Sequence, residues 1–202
     1  MTTAGDVITY VKNDQRITDT SLDATLLAWL NKNLVRRTRG REYPQLRVEG
    51  TTFQTTANVS TYATPTGFLR LVPNSVMYGY STSSAGYLLP DVNTDTAEAW
   101  KTLNPASDPA VVTVSAGTNG TKKLELLPVF TSGSQTVRYD YMAGVSTFTS
   151  TASTAQVPEL LEVLAYDTIA DYCRYQSRTD DAAAASQEAS LLYRDANRGL
   201  IR

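Results

Sequence analysis

Apolar residues recur every three or four positions at the start of the chain, which predicts helices over about residues 1–48. A short helix is expected over residues 5–14. A second helix is expected to begin near Thr20 or Ser21, because either hydroxyl could cap it. Its apolar stripe consists of Leu22, Leu26, Trp29, Leu30 and Leu34. Gly40 follows the stripe and is predicted to end the helix.

The pattern changes to two-residue alternation over about residues 49–156, where Ser, Thr, Gly, Pro and Asn separate short apolar runs. Five runs are rich in strand-forming residues: FLRLV, VMYGY, AVVTV, LELLP and TVRYDYM. In the last run, Val137, Tyr139 and Tyr141 share one face. Such alternation predicts antiparallel strands with one buried side. Residues 91–104 interrupt the pattern and predict a loop or a helical turn.

Two of these strands are predicted to form a hairpin around Asn119-Gly120, because both turn residues tolerate positive φ. Val112 and Val114 would share a face before the turn, and Leu124 and Leu126 a face after it. The nearby glycines and lysines could also suggest a phosphate-binding loop. Such a loop requires four residues between two glycines, then Lys and Ser or Thr at the start of a helix, and this spacing is absent.

Helical spacing returns over residues 157–202, after an extended linker predicted at residues 146–156. Pro158 fits the first turn of a helix. The apolar side of that helix is supplied mainly by Leu161, Leu164, Ile169 and Tyr172. Thr179 then begins a fresh cap or a bend before an alanine-rich helix, and Gly199 is the expected end.

The three zones together predict one composite α+β domain. Residues 1–48 supply N-terminal helices, residues 49–156 a β-rich insertion, and residues 157–202 C-terminal helices and a tail. We expect the helices from the two ends to form a small bundle, with the antiparallel β insertion between them in the chain.

The composition narrows the function mainly through missing residue types. The 202 residues include no histidine and a single cysteine, Cys173, which is expected to be a small core residue. Ser-His-Asp and Cys-His catalysis, histidine-bearing metal sites and internal disulfides are therefore excluded. Carboxylates, Lys, Tyr or Arg could still catalyse a reaction. No catalytic fingerprint is present, so we expect no enzyme activity, no cofactor and no metal.

Charge and hydropathy indicate where the protein resides. The net charge of −2 gives no electrostatic argument for nucleic-acid binding. No apolar run approaches the roughly 20 residues that span a membrane, and the start of the chain lacks the basic and apolar stretches of a signal peptide. We expect residence inside a cell or in a particle assembled there.

Charged clusters provide two candidate sites. Four arginines lie at the C-terminal end of the second predicted helix: Arg36, Arg37, Arg39 and Arg41. They could contact DNA or an acidic protein surface, although cations that offset the helix dipole are the simpler interpretation. Asp167 and Asp171 lie one helical turn apart and could bind a cation. Two carboxylates rarely suffice for a metal, so a solvated face or a pairing with Arg174 is the simpler interpretation.

Aromatic residues provide two further candidates. Trp29 lies on the apolar stripe and is predicted to be in the core. Trp100 lies in a polar stretch and is a candidate interface anchor. Tyr78, Tyr80 and Tyr87 could form a sugar-binding platform, but packing within a sheet is the simpler interpretation.

Four segments, in this order, carry a family resemblance. SLDATLLAWLNKNLVRRTRGREYPQL is a helix with WLN that ends before an aromatic-Pro pair, and YATPTGFLRLV is a Tyr-Pro-Leu strand entry. LELLPVFTSGSQTVRYDYM is a strand ending in Pro, a polar turn and a strand ending in an aromatic. VPELLEVLAYDTIADYCRYQSRTDDAAAASQEASLLYRDA is a long helical segment with small residues and a late Tyr. The series covers nearly the whole chain and resembles tailed-phage head-to-tail connector (adaptor) proteins.

The resemblance implies a structural virion protein of the neck, assembled in the host cytoplasm. Such adaptors form a ring, usually of about twelve copies, under the portal protein. They extend the DNA channel and dock the tail, a stopper or a nozzle protein. DNA would pass without sequence-specific binding, and no membrane would be involved.

The resemblance also implies which residues bind partners. In some relatives the C-terminal segment leaves the helical core and grips the portal. The corresponding candidates here are Asp195, Asn197, Arg198, Leu200, Ile201 and Arg202. The four arginines and Trp100 are further candidate interface residues.

Other functions stay open at this point. The chain could be another neck or tail-completion protein, such as a stopper or terminator, although those are usually smaller and dominated by β structure. It could also be a carbohydrate-binding module, but that interpretation leaves the long flanking helices unexplained. A carboxylate-based enzyme would need two converging acidic side chains in a cleft, and the sequence identifies no such pair.

Overall fold

The computed structural model describes residues 1–39, 41–103, 106–117 and 120–198 and confirms an α+β protein. The helices are α1 (Ala4–Asp14), α2 (Asp23–Thr38), α3 (Thr94–Lys101), α4 (Leu161–Tyr175) and α5 (Thr179–Arg198). The strands are β1 (Arg47–Gln54), β2 (Thr61–Ala63), β3 (Phe68–Leu71), β4 (Met77–Tyr78), β5 (Tyr87–Leu88), β6 (Val111–Ala116), β7 (Lys122–Leu127) and β8 (Thr136–Ala143).

The chain divides into two compact units. Met1–Leu46 and Gly144–Arg202 form a helical unit, and Arg47–Ala143 forms a β unit that also holds α3. The predicted α+β class is confirmed, with helices from both ends of the chain and antiparallel strands between them.

In the helical unit, α4 packs against α1, α2 and α5. The predicted apolar positions of α2 and α4 fill this core: Leu26, Leu30, Leu34, Leu161, Leu164 and Ile169 are all buried. Cys173 is fully buried there, so the prediction of a small core residue is confirmed. The prediction that Trp29 lies in the core is correct only in part. Its ring is only half-buried and lies 5.8 Å from that of the exposed Tyr175, at the margin of the stripe.

The predicted start of the second helix needs correction. Neither Thr20 nor Ser21 caps it; the Asp19 carboxylate accepts a 2.8 Å hydrogen bond from the Ser21 amide instead. This bond opens a short 3-10 turn, Thr20–Leu22, from which α2 continues at Asp23. A carboxylate is at least as good a cap as a hydroxyl, so the Asp earlier in the chain sets the start. Gly40, the predicted end, lies outside the described residues.

Residues 146–156 are not the extended linker that their composition predicts. They fold against the first turn of α1, where the amides of Ala4 and Gly5 donate to the carbonyl oxygens of Ser153 and Thr151 at 3.0 and 2.7 Å. A Cβ at Gly5 would lie 2.9 Å from the Thr151 oxygen, so only glycine permits this approach. Phe148 is buried as well. The segment thereby gives acceptors to amides that a helix start leaves unpaired.

The β unit contains two antiparallel sheets. One has the order β1-β8-β4-β5, with β3 also paired to β8, and the other has the order β2-β7-β6. The predicted hairpin pairing is confirmed, because Val112 lies opposite Leu126 and Val114 opposite Leu124. Gly120 has the expected positive φ of 73°, whereas Asn119 lies outside the described residues.

Aromatic and aliphatic side chains from both sheets form one core in the β unit. Val137, Tyr139 and Tyr141 are buried on one face of β8, as the alternation predicts. Residues 91–104 were predicted to form a loop or a helical turn. Helix α3 forms there, and the Asn93 side chain caps its first turn. The last of these residues, Asn104, lies outside the described residues.

Candidate docking surface

The centre of the candidate surface is a buried carboxylate on α4. Asp167 is only 4% exposed and binds two arginines of α2. Arg37 donates from Nε and Nη2 to the two carboxylate oxygens, each at 2.8 Å, and Arg36 Nη2 lies 2.9 Å from Oδ1. The bidentate hydrogen bonds to Asp167 raise the pKa of the Arg37 guanidinium. Such pairing is what a buried carboxylate requires.

A second carboxylate repeats this arrangement one turn along α4. Asp171 lies 2.9 Å from Lys32 Nζ, accepts 3.0 Å from Asn33 Nδ2, and lies 3.0 Å from Arg174 Nη1. Burial alone would raise the pKa of Asp171. The hydrogen bonds from Lys32 and Asn33 and the charges of Lys32 and Arg174 outweigh burial, so its pKa lies below the usual value.

These groups form what we call the α2–α4 ladder: Lys32, Asn33, Arg36, Arg37, Asp167, Asp171 and Arg174. It holds four cations and two carboxylates, so it carries surplus positive charge. No cluster of three or more metal-ligating side chains occurs among the residues that the structure describes.

The ladder corrects part of the sequence analysis. The predicted pairing of Asp171 with Arg174 is confirmed, but Asp167 is neither solvated nor bound to Arg174. Arg36 and Arg37 do more than offset a helix dipole, because both are ion-pair partners of α4. The contact between Arg37 and Asp167 joins residues 130 positions apart, so local spacing gave no signal for it.

The end of α5 lies against the end of α2 through Tyr193. The Tyr193 hydroxyl donates a 2.8 Å hydrogen bond to the Arg37 carbonyl oxygen. The guanidinium carbons of Arg37 and Arg41 lie 4.7 and 5.2 Å from the centre of its ring, within the range of cation–π attraction. Arg39 is exposed on the same end of α2. The sequence marked Tyr193 only as the late Tyr of the C-terminal helical segment and gave no sign of these contacts.

The predicted portal-binding segment begins two residues after Tyr193. Asp195 and Arg198 lie in the last turn of α5, mostly exposed, and pair at 3.3 Å. Asn197 is buried, and its amide donates to the Tyr193 carbonyl oxygen. The remaining candidates of the segment, Leu200, Ile201 and Arg202, lie outside the described residues, as does Gly199. The structure thus places the residue two positions before this segment, Tyr193, against Arg37 and Arg41 of the arginine run.

Trp100 and the tyrosine group belong to the β unit. Trp100 is half-buried against Ala97, Val111 and Leu127. Tyr78 is buried, and its ring meets that of Phe130 edge-on at 6.0 Å. For Tyr78 sheet packing is confirmed, and the three tyrosines therefore form no exposed sugar-binding platform.

No described helix is both long and apolar enough to cross a membrane.

Comparison with known proteins identifies the family. None of the curated protein sequences matches the chain. The family described as SU10 adaptor protein matches residues 2–202, which agrees with the predicted phage adaptor and implies a component of the virion. The chain therefore belongs to the SU10 adaptor protein family.

Proposed function

We propose that this chain is the head-to-tail adaptor of a tailed phage, located in the neck and assembled in the host cytoplasm. Copies form a closed ring of about twelve subunits below the portal protein. The ring extends the DNA channel and presents a docking surface for the tail, a stopper or a nozzle protein. The role is structural, without catalysis, cofactor, metal or sequence-specific DNA binding.

One observation carries the proposal beyond family membership. Tyr193, two residues before the implied C-terminal segment, lies against the arginine run at one end of the helical unit. It donates a hydrogen bond to the Arg37 carbonyl oxygen, and its ring contacts the Arg41 guanidinium. Tyr193 and the arginine run, far apart in sequence, thus contribute to one surface, and its aromatic and arginine side chains are of the types enriched at protein interfaces.

The positive charge of this surface suits an acidic surface on the partner. The α2–α4 ladder has two more cations than carboxylates, and Arg39 and Arg41 add positive charge beside it. The whole chain, however, has a net charge of −2. A near-neutral ring suits a DNA conduit, because a strongly basic wall would hold phosphates and slow their passage.

Light scattering tests the proposal. The purified chain is measured alone and after mixing with the portal ring of the same phage. We expect the portal ring to gain mass corresponding to a fixed ring of adaptor copies. A chain that leaves the mass of the portal ring unchanged would contradict the proposal.

Two truncations then test the C-terminal contact. Removal of residues 195–202 is expected to weaken portal binding at least tenfold, a difference of about 1.4 kcal/mol. Removal of residues 199–202 alone separates the contribution of Leu200, Ile201 and Arg202 from that of the Asp195–Arg198 turn, which it leaves in place. Circular dichroism of both variants checks that the helices are retained.

A further inference from the structure

We propose that neighbouring copies in the ring contact each other head to tail through two oppositely charged faces of the helical unit. The outer face of α2 on one copy lies against an acidic groove of the next copy. This inference rests on the proposed function, because it assigns the contact that closes the ring.

The first face is a stripe of cations on α2. Lys32, Arg36 and Arg39 are spaced four and three residues apart, so they follow one side of the helix, with Val35 beside them. They line a shallow groove together with Asn31 and Thr147. The side chains of Lys32 and Arg36 are 56% and 54% exposed despite their ion pairs. The positive charge of α2 is thus presented to solvent.

The second face is a groove between the end of α1, α4 and α5. Its floor is apolar and includes Ile169, Cys173 and Ala185. Its rim is acidic, and the carboxylates that line it are Asp14, Asp181 and Glu188. Arg178 is the single cation that lines this groove among the described residues, and it pairs with Asp181 at 2.6 Å. The groove therefore has a negative balance and an apolar interior.

The two faces lie on opposite sides of α4. Asp167 and Asp171 point towards α2, whereas Ile169 and Cys173 line the groove. Asp167 and Asp171 each lie two positions before a groove residue, Ile169 and Cys173. Two positions correspond to a rotation of about 200° around a helix, so the aspartates and the groove residues are on opposite sides of α4. The cationic stripe is on the side of α2 away from its buried leucines. A copy can therefore contact one neighbour through each face at the same time.

A second copy of this chain is the occupant that fits both faces. A ring is built from heterologous contacts, in which two different and complementary patches of one subunit meet those of its neighbours. The two faces are complementary because they carry opposite charge. They also lie on opposite sides of α4, so each face can contact a different neighbour. The same contact repeats from copy to copy, and the ring closes when the rotations between successive subunits add up to a full turn.

Charge reversal tests this contact without disturbing the ladder. Arg39→Glu and Glu188→Lys are suited to the test, because neither side chain has a partner among the described residues. Each variant alone is expected to weaken the contact between copies about tenfold, since like charges replace opposite ones. Arg194→Glu is the control, as it reverses an exposed charge that lines neither groove.

Mixing the two variants gives the decisive result. In a 1:1 mixture, alternating copies place the introduced glutamate of one variant opposite the introduced lysine of the other. The unchanged Arg39 and Glu188 meet at the next contact, so ring assembly should return. The double variant Arg39→Glu with Glu188→Lys should assemble for the same reason. Native mass spectrometry counts the copies, alone and on the portal ring, and thermal melting checks that every variant folds.

The possible outcomes separate the two proposals. If wild type and both single variants assemble equally well, the contact lies elsewhere and the inference fails, while the adaptor proposal stands. Loss of assembly in both single variants that the mixture does not restore also overturns the inference. If wild type itself neither assembles nor binds the portal ring, the adaptor proposal fails and this contact fails with it.

Discussion

The two units of this protein are stabilised in different ways. In the helical unit, a ladder of ion pairs links α2 to α4, and the buried polar residues there include Asn33, Asp167, Thr168 and Asn197. In the β unit, the core of the two sheets consists of aromatic and aliphatic side chains. Its buried polar residues in the described chain are the uncharged Thr55 and Thr113.

This difference has a physical consequence. Apolar burial is non-directional and depends mainly on the area removed from water. A buried ion pair requires defined geometry, because an unpaired charge in the interior is costly. We therefore expect the β unit to be most sensitive to the loss of side-chain volume, and the helical unit to the loss of charge.

The largest expected effect is the loss of an aromatic ring from the β core. Phe130 is fully buried and contacts Tyr78 edge-on. Phe130→Ala should lower the free energy of unfolding by about 3–5 kcal/mol, because it leaves a cavity. Val59→Ala is the control at an exposed position. Equal urea denaturation midpoints for the two variants would contradict the assignment of Phe130 to the core.

The next effect is the loss of one charge from the ladder. Asp167→Asn keeps the size of the side chain but leaves Arg36 and Arg37 without a counter-ion. We expect a loss of about 3 kcal/mol in the free energy of unfolding. Asp181→Asn, which removes an exposed partner of Arg178, should change it little. A similar small change for Asp167→Asn would mean that the ladder does not stabilise the helical unit.

A smaller effect concerns pH. The pKa of Asp171 lies below its usual 3.8, so the folded state favours the ionised form. Its contribution to stability is therefore complete above about pH 5 and is lost as pH falls through the folded pKa, below 3.8. Asp171→Asn should accordingly be destabilising at neutral pH, and the difference from wild type should shrink on acidification. Denaturation curves at a series of pH values would reveal a constant difference if this linkage were absent.

The smallest expected effect is at the end of α5. The Asp195 and Arg198 side chains are 61% and 71% exposed. Asp195→Ala should change the free energy of unfolding by less than about 0.5 kcal/mol, since exposed ion pairs contribute little. Thermal melting of the variant beside wild type measures this. A loss comparable to that of Asp167→Asn would remove the contrast between the ladder and the helix end.

Local patterns predicted most of the fold. Two-residue alternation identified the buried face of β8, and helical spacing identified the leucines of α2 and α4. These signals are local, because each depends on the periodicity of one element. Strands β1, β2 and β5 were not predicted. Strands β2 and β5 have only two or three residues and give no measurable period, and β1 is mostly exposed, so it lacks an apolar alternation.

The candidate surface was harder to predict. The arginine run and the two aspartates of α4 can be recognised in the sequence, but the contact between them could not be predicted from it. Ion pairs between distant segments depend on helix packing, which has no local signature. The contacts of Tyr193 with Arg37 and Arg41 were missed for the same reason, because they join residues about 150 positions apart.

Electron cryomicroscopy of the chain mixed with the portal ring tests the central claim most directly. The account predicts a closed ring of adaptor copies, coaxial with the portal and surrounding one continuous channel. In that ring, the outer face of α2 would lie beside the groove of the neighbouring copy. Portal particles without added density, or with copies attached at irregular positions, would contradict the account.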